Sequence, residues 1–149
     1  YDFHRARKDP LYADYAIYSP DVPVIRDDDG TLLDESYLCS FITCPAVNAK
    51  VVLERDPSRR AEIHDAMEAR VAKVLTIAAI HGYEALVLGA WGCGVFGNDG
   101  REIGELFRAA LDGSFAGVFS KVVFAVTDWS AERRFIGPFE QVFGGAASS

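Results

Sequence analysis

Four glycines within nine residues, Gly89, Gly92, Gly94 and Gly97, constrain this chain more than any other feature. They follow an apolar run, Ala85 to Leu88, short enough to be a buried strand. Asn98 and Asp99 come next, where helix N-caps belong, and an amphipathic stretch follows. Strand, glycine loop and helix start together form a geometry that binds phosphate. Glycines let the backbone approach a ligand closely, and N–H groups of the loop and first helical turn point at the anion. A plain strand-to-helix turn needs one or two glycines. Four, interleaved with Trp91 and Phe96, exceed that need.

The chain has 149 residues, enough for one domain, 1–149, with a real core. Its net charge is −7, so no basic field draws in DNA or an anionic membrane. An anion must then be held by local backbone N–H groups. Cys39, Cys44 and Cys93 fit neither a disulfide framework nor a metal knuckle. His4, His64 and His81 are scattered, so no metal site is expected, and no cofactor either. Asp27-Asp28-Asp29-Gly30 lacks the calcium-loop spacing and reads as a hairpin turn. No apolar run is long enough to span a bilayer, and the cysteine usage suits a reducing, cytoplasmic setting.

The remaining pattern is a mixed α/β one. Tyr15 to Ser19 is a β-rich run, and Val22 to Arg26, bracketed by Pro20 and Pro23, is an edge strand at best. Leu38 to Cys44 is a second strand, with Thr43 to Asn48 leaving its carboxyl end either as a candidate second wall of a site or as a connecting loop. Asp56-Pro57 opens a long helix with Ile63, Met67, Val71, Val74, Leu75 and Ala78 on one stripe, stopped by Gly82. Ile103 to Leu111 marks a second helix, Lys121 to Asp128 another buried strand, and Ile136 to Phe143 a last helix. Residues 144–149 read as a frayed tail. Two helix–strand pairs of this kind feed a parallel sheet with helices on both faces.

Gly92-Cys-Gly-Val-Phe-Gly97 matches G-x-G-x-x-G, but the acid ending the next strand, Asp128, lies 31 residues past Gly97 rather than about twenty. An NAD-dependent oxidoreductase is therefore a minority reading. No Lys-Ser or Lys-Thr follows the glycines, which excludes a Walker loop. Gly89-Ala-Trp-Gly-Cys-Gly-Val-Phe-Gly-Asn98 instead resembles the diphosphate-binding loop of the macrodomain fold, and more closely that of the bacterial, microbial-type poly(ADP-ribose) glycohydrolases. Tyr18 to Asp27, Phe41 to Asn48 and Val123 to Asp128 match the same family in order.

The resemblance implies a three-layer α/β/α domain with a mixed sheet that binds ADP-ribose and hydrolyses the ribose–ribose bond of poly(ADP-ribose). By carry-over, Gly92, Cys93, Gly94, Val95, Phe96, Gly97 and Asn98 hold the diphosphate. Phe96 packs against the ribose; its alternative is a core plug under the loop. Thr43, Asn48, Trp129 and Phe135 are candidate cleft or adenine contacts, with Phe135 ranked ahead of Trp129; the alternative for the two aromatics is packing against the final helix. The family's catalytic acid belongs to an earlier triple-glycine and Gln-Glu-Glu segment, and no such segment occurs in this sequence. Asp99 is expected to serve as a helix N-terminal charge, and Asp128 as a strand-end cap or turn residue. The expectation is therefore the C-terminal portion of a longer glycohydrolase, lacking N-terminal elements and inactive alone. An N-terminal segment or another chain would complete its sheet. The alternative is a macrodomain module that binds ADP-ribose without cleaving it.

Overall fold

The computed structural model describes residues 9–144. The expected frayed tail beyond Gly144 lies outside the described residues. Strands β1 (Ile17–Arg26) and β2 (Leu32–Thr43) form an antiparallel hairpin, with Ile17 opposite Thr43 and Arg26 opposite Leu32. Asp27 closes the expected turn: its carboxylate accepts from the Thr31 N–H at 2.8 Å, and Gly30 takes a φ of +83°. The two β runs around Pro20 and Pro23 are one ten-residue strand rather than two pieces. A register shift between Ser19 and Val22 absorbs Pro20, and β1 has β2 as its one described neighbour, so the missing proline N–H groups break no ladder.

Helix α1 (Ala49–Arg55) was not evident in the sequence pattern, because seven residues hold barely two turns of periodicity. Its signal is the Asn48 cap, whose side chain accepts from the Val51 N–H. A 3₁₀ turn (Pro57–Arg59) capped by Asp56 leads into α2 (Arg60–Ile80). The predicted stripe is buried, with Ile63, Met67, Val71, Leu75 and Ala78 in the core. Gly82, at φ +74°, ends the helix in a Schellman arrangement: Tyr83 N–H donates to Ala78 O and Gly82 N–H to Ala79 O.

One charged residue shares that stripe. Arg70 is 1% exposed, and its guanidinium donates to Asp14 and to the carbonyls of Leu11, Tyr12 and Pro45. It ties residues 11–14 and the exit of β2 to α2.

Strands β3 (Ala85–Leu88) and β4 (Lys121–Phe124) pair in parallel, and α3 (Gly100–Asp112) connects them. β4 is shorter than its apolar run, because its partner ends where the glycine loop begins. Phe124 anchors the core, 5.5 Å from Phe107, 5.2 Å from Phe139 and 4.5 Å from Phe143, the last two on α4 (Ile136–Phe143). The helices bury one face of the β3–β4 pair, that of Leu86, Leu88 and Phe124. Helices on both faces were expected. Among the described residues the second face is open, leaving Val87 77% and Val123 39% exposed. The hairpin is fastened to the β3 side by its tyrosines. Tyr18 and Tyr83 share a 2.6 Å hydroxyl hydrogen bond, Tyr83 donates to Ser40, and the Tyr18 ring stacks on His81 at 4.0 Å.

Candidate functional site

The glycine loop leaves the carboxyl end of β3 and is braced from beneath by Asn98. Its carboxamide donates to Val47 O at 2.8 Å and to Gly92 O at 3.1 Å, while its own N–H also donates to Gly92 O. Asn98 is buried, so this brace lies inside the protein, and both of its nitrogens are engaged there. Lys50 N–H donates to Phe96 O at 2.9 Å, fixing the loop's far limb to the first turn of α1. Asp99 then caps α3, accepting from the N–H groups of Arg101 and Glu102, the helix-terminal role expected for it.

Two of the glycines answer to this geometry. Gly92 sits at φ +74°, and a Cβ there would lie 2.4 Å from Asn98 Nδ2 and 2.6 Å from Ala46 Cβ. Gly97 sits at φ +67° with Lys50 against it. Gly94 does not: it has no left-handed φ, and a Cβ would meet nothing within 4 Å. The fold itself would tolerate a side chain at position 94.

The loop's amides divide in the same way. Cys93 N–H donates to Ala90 O, Gly97 N–H to Gly94 O and Asn98 N–H to Gly92 O. The N–H groups of Gly92, Gly94, Val95 and Phe96 have no acceptor among the described residues. Gly94 and Val95 are exposed, Val95 to 89%. Cys93 is buried beneath them, and burial, with Asp99 adding to it, pushes its thiol up to about 11. It stays protonated at neutral pH and serves as packing, not as a nucleophile.

Gly94, Gly97 and Asn98 border a cavity of about 570 Å³ that runs between α1, the start of α2, the start of α3 and the start of α4. Phe135 lines it; Trp129 does not and stands 94% exposed. Thr43 and Asn48 are also outside its lining, Thr43 exposed and Asn48 occupied as the α1 cap. Phe96 is half-buried on another side of the loop, its ring 6.0 Å from Tyr12. Asp128 organises the segment that presents Phe135. Its carboxylate accepts from the Ser130 hydroxyl and N–H and from the N–H groups of Phe135 and Ile136. Those bonds, the Ser130 hydroxyl foremost, hold its carboxyl well below the usual carboxylate range.

Sequence reading missed the arginines. Arg60, Arg101 and Arg134 all line the cavity, from the start of α2, the start of α3 and the turn before α4. Their positions, scattered along the chain, carry no motif. Among the described residues no group of His, Cys, Asp and Glu is placed to hold a metal ion. No described helix is long and apolar enough to cross a membrane.

Residues 1–27 match a family model described as the catalytic domain of microbial-type PARG, or poly(ADP-ribose) glycohydrolase. Among solved structures, the chain is similar to the glycohydrolase of Deinococcus radiodurans in complex with ADP-ribose. The TM-score is 0.92 and the identity 39%, covering 97% of this chain and 58% of that one. The apo form of that enzyme gives a TM-score of 0.92 at 38% identity, covering 100% and 61%. The glycohydrolase of Thermomonospora curvata gives 0.88 at 48% identity, covering 96% and 52%. The chain therefore spans between about half and three fifths of the length of these enzymes. No curated protein sequence matches it at a significant level.

Proposed function

We propose that this chain, similar in sequence and fold to the microbial-type poly(ADP-ribose) glycohydrolases over nearly all its length, is the ADP-ribose-binding portion of such an enzyme. The loop from Gly92 to Asn98 holds the diphosphate through main-chain N–H groups. One observation carries this reading: Gly94 is a glycine that the fold does not require, beside four N–H groups with no internal acceptor. A backbone left bare next to free donors suits the close approach of an anion. Phe135, on the cavity wall, takes the adenine, and Phe96, on the other side of the loop, packs against the terminal ribose. Cys93 and Asn98 support the loop from within.

Hydrolysis of the ribose–ribose bond needs a carboxylic acid near the leaving oxygen. We assign it to a Gln-Glu-Glu segment outside these 149 residues, since the single glutamine of the sequence is Gln141 on α4. The open face of Val87 and Val123 is one that such a segment, or another chain, covers, while the free edges of the two-stranded sheets are where it adds strands. Three free cysteines suit a cytoplasmic setting.

Calorimetry with ADP-ribose tests the binding. Heat of binding that is lost in Gly94→Glu supports the reading; a folded sample with no heat refutes it. Cleavage of poly(ADP-ribose) by the chain alone would refute the placing of the acid. A module that binds without cleaving would keep the heat and show no cleavage when the remaining sequence is supplied.

A further inference from the structure

The arginines of the cavity stand where their charge is least welcome. Arg60 opens α2, Arg101 lies in the first turn of α3, and Arg134 precedes α4 by two positions. A helix N-terminus carries partial positive charge, so a cation there is unfavourable and a carboxylate favourable. Arg101 offsets this by pairing with Glu105 at 2.8 Å. Arg60 and Arg134 do not. The nearby carboxylates go to their sequence neighbours instead: Arg59 bonds to Glu62, and Arg133 to Glu140. Among the described residues neither the Arg60 nor the Arg134 guanidinium has an ion-pair or hydrogen-bond partner; Arg134 has only the Phe135 ring, 6.0 Å away.

The two carboxylates that line the cavity, Asp99 and Glu102, are engaged. Asp99 accepts from the N–H groups of Arg101 and Glu102, and Glu102 is hydrogen-bonded to His64 at 2.7 Å. With a diphosphate on the loop at Gly94 and an adenine on Phe135, the ribose that joins them crosses this cavity, which Arg60 and Arg134 also line. Nucleotide sites divide on what faces that ribose. A carboxylate accepts from a free 2′-hydroxyl, whereas an arginine accommodates a 2′-phosphate. A guanidinium meets phosphate through parallel N–H donors, a pairing that a neutral hydroxyl cannot match. The volume of about 570 Å³ is of the size that holds a nucleotide.

We propose that the cavity takes an adenosine whose ribose carries a phosphate monoester on its 2′- or 3′-hydroxyl, as in ADP-ribose 2′-phosphate, and that Arg60 and Arg134 hold that phosphate. The inference rests on the loop being the ADP-ribose site, with Phe135 as the seat of the base. The site then has three separate determinants. Main-chain N–H groups take the diphosphate, an aromatic ring takes the base, and two guanidiniums take a phosphate that ADP-ribose itself lacks. Unmodified ADP-ribose leaves those guanidiniums to solvent, so they add little to its affinity.

The test compares ADP-ribose with ADP-ribose 2′-phosphate and its 3′-phosphate isomer by calorimetry, in the unsubstituted chain and in Arg60→Gln/Arg134→Gln. Both residues are exposed, so the double variant keeps the fold, which circular dichroism checks. At least one isomer should bind about tenfold tighter than ADP-ribose to the unsubstituted chain, and that gain should vanish in the double variant. ADP-ribose binding should be nearly unchanged. Arg133→Gln removes a charge outside the cavity lining and should keep the gain. A gain that survives the double substitution, or one that Arg133→Gln abolishes, overturns the proposal. So does an equal loss of all three ligands in the double variant, which would give the arginines to the diphosphate. A chain that binds all three equally overturns this inference alone and leaves the loop reading standing. A folded chain that gives no heat with ADP-ribose removes both.

Discussion

The Asn98 carboxamide donates to the Val47 carbonyl at 2.8 Å, across 51 positions of sequence, and so locks the glycine loop to the entry of α1. The same nitrogen reaches Gly92 O, which also accepts from the Asn98 N–H. The loop's shape is therefore held from below, and its upper amides are left without internal work.

Removing the brace should cost stability as well as order. Asn98→Ala leaves a buried carbonyl of Val47 without its donor, and this should lower unfolding stability by about 1–3 kcal/mol. Urea unfolding measures it. A change within noise would show that the loop holds its form without Asn98.

Arg70 invites a second test. It is buried, and it donates to three carbonyls besides Asp14, so Arg70→Met strands those acceptors. The loss should be about 3–5 kcal/mol. Asp14 itself is largely exposed, so Asp14→Asn should cost far less, about 0–1 kcal/mol. Equal losses in the two variants would mean that the ion pair, and not the carbonyl contacts, carries the effect.

Asp128 sets the acid response of the segment bearing Phe135. Its carboxyl is depressed below its unfolded value by hydrogen bonds to the charged form. The stabilisation is thus complete above the unfolded value of about 3.9 and is lost as pH falls through the folded one. Asp128→Asn should flatten the pH dependence of thermal stability below about pH 4 and leave its shape near neutrality intact. His64 has the opposite sign. Glu102 raises its pKa, so that contact stabilises fully below about pH 6.5 and fades as pH rises through the folded value. An Asp128→Asn profile that coincides in shape with the parent below pH 4 would contradict the hub role.

Much of this architecture was readable from local pattern. The α2 stripe from Ile63 to Ala78, its stop at Gly82, the Asp27 turn and the helix over Ile136 to Phe143 each follow from periodicity or turn chemistry within a few residues. What escaped was set by distance. Nothing near Arg70 announces that Leu11, Tyr12 and Pro45 will turn their carbonyls toward it. Helix α1 was hidden by its brevity. The glycine loop was legible as a loop, but which glycines the fold needs was not. That depends on Asn98 and Ala46 packing against Gly92 and on open space beside Gly94. The cavity arginines come from two helices and a turn that only the tertiary fold brings together.

The central claim is that main-chain N–H groups, without a basic side chain among them, hold a diphosphate. An amide-resolved NMR titration of the ¹⁵N-labelled chain with ADP-ribose addresses it directly. The account predicts that the amide signals of Gly92, Gly94, Val95 and Phe96 move most, and that those of Cys93 and Gly97, already bonded to Ala90 and Gly94, move less. Saturable binding that leaves the first four unmoved while perturbing other amides would contradict it.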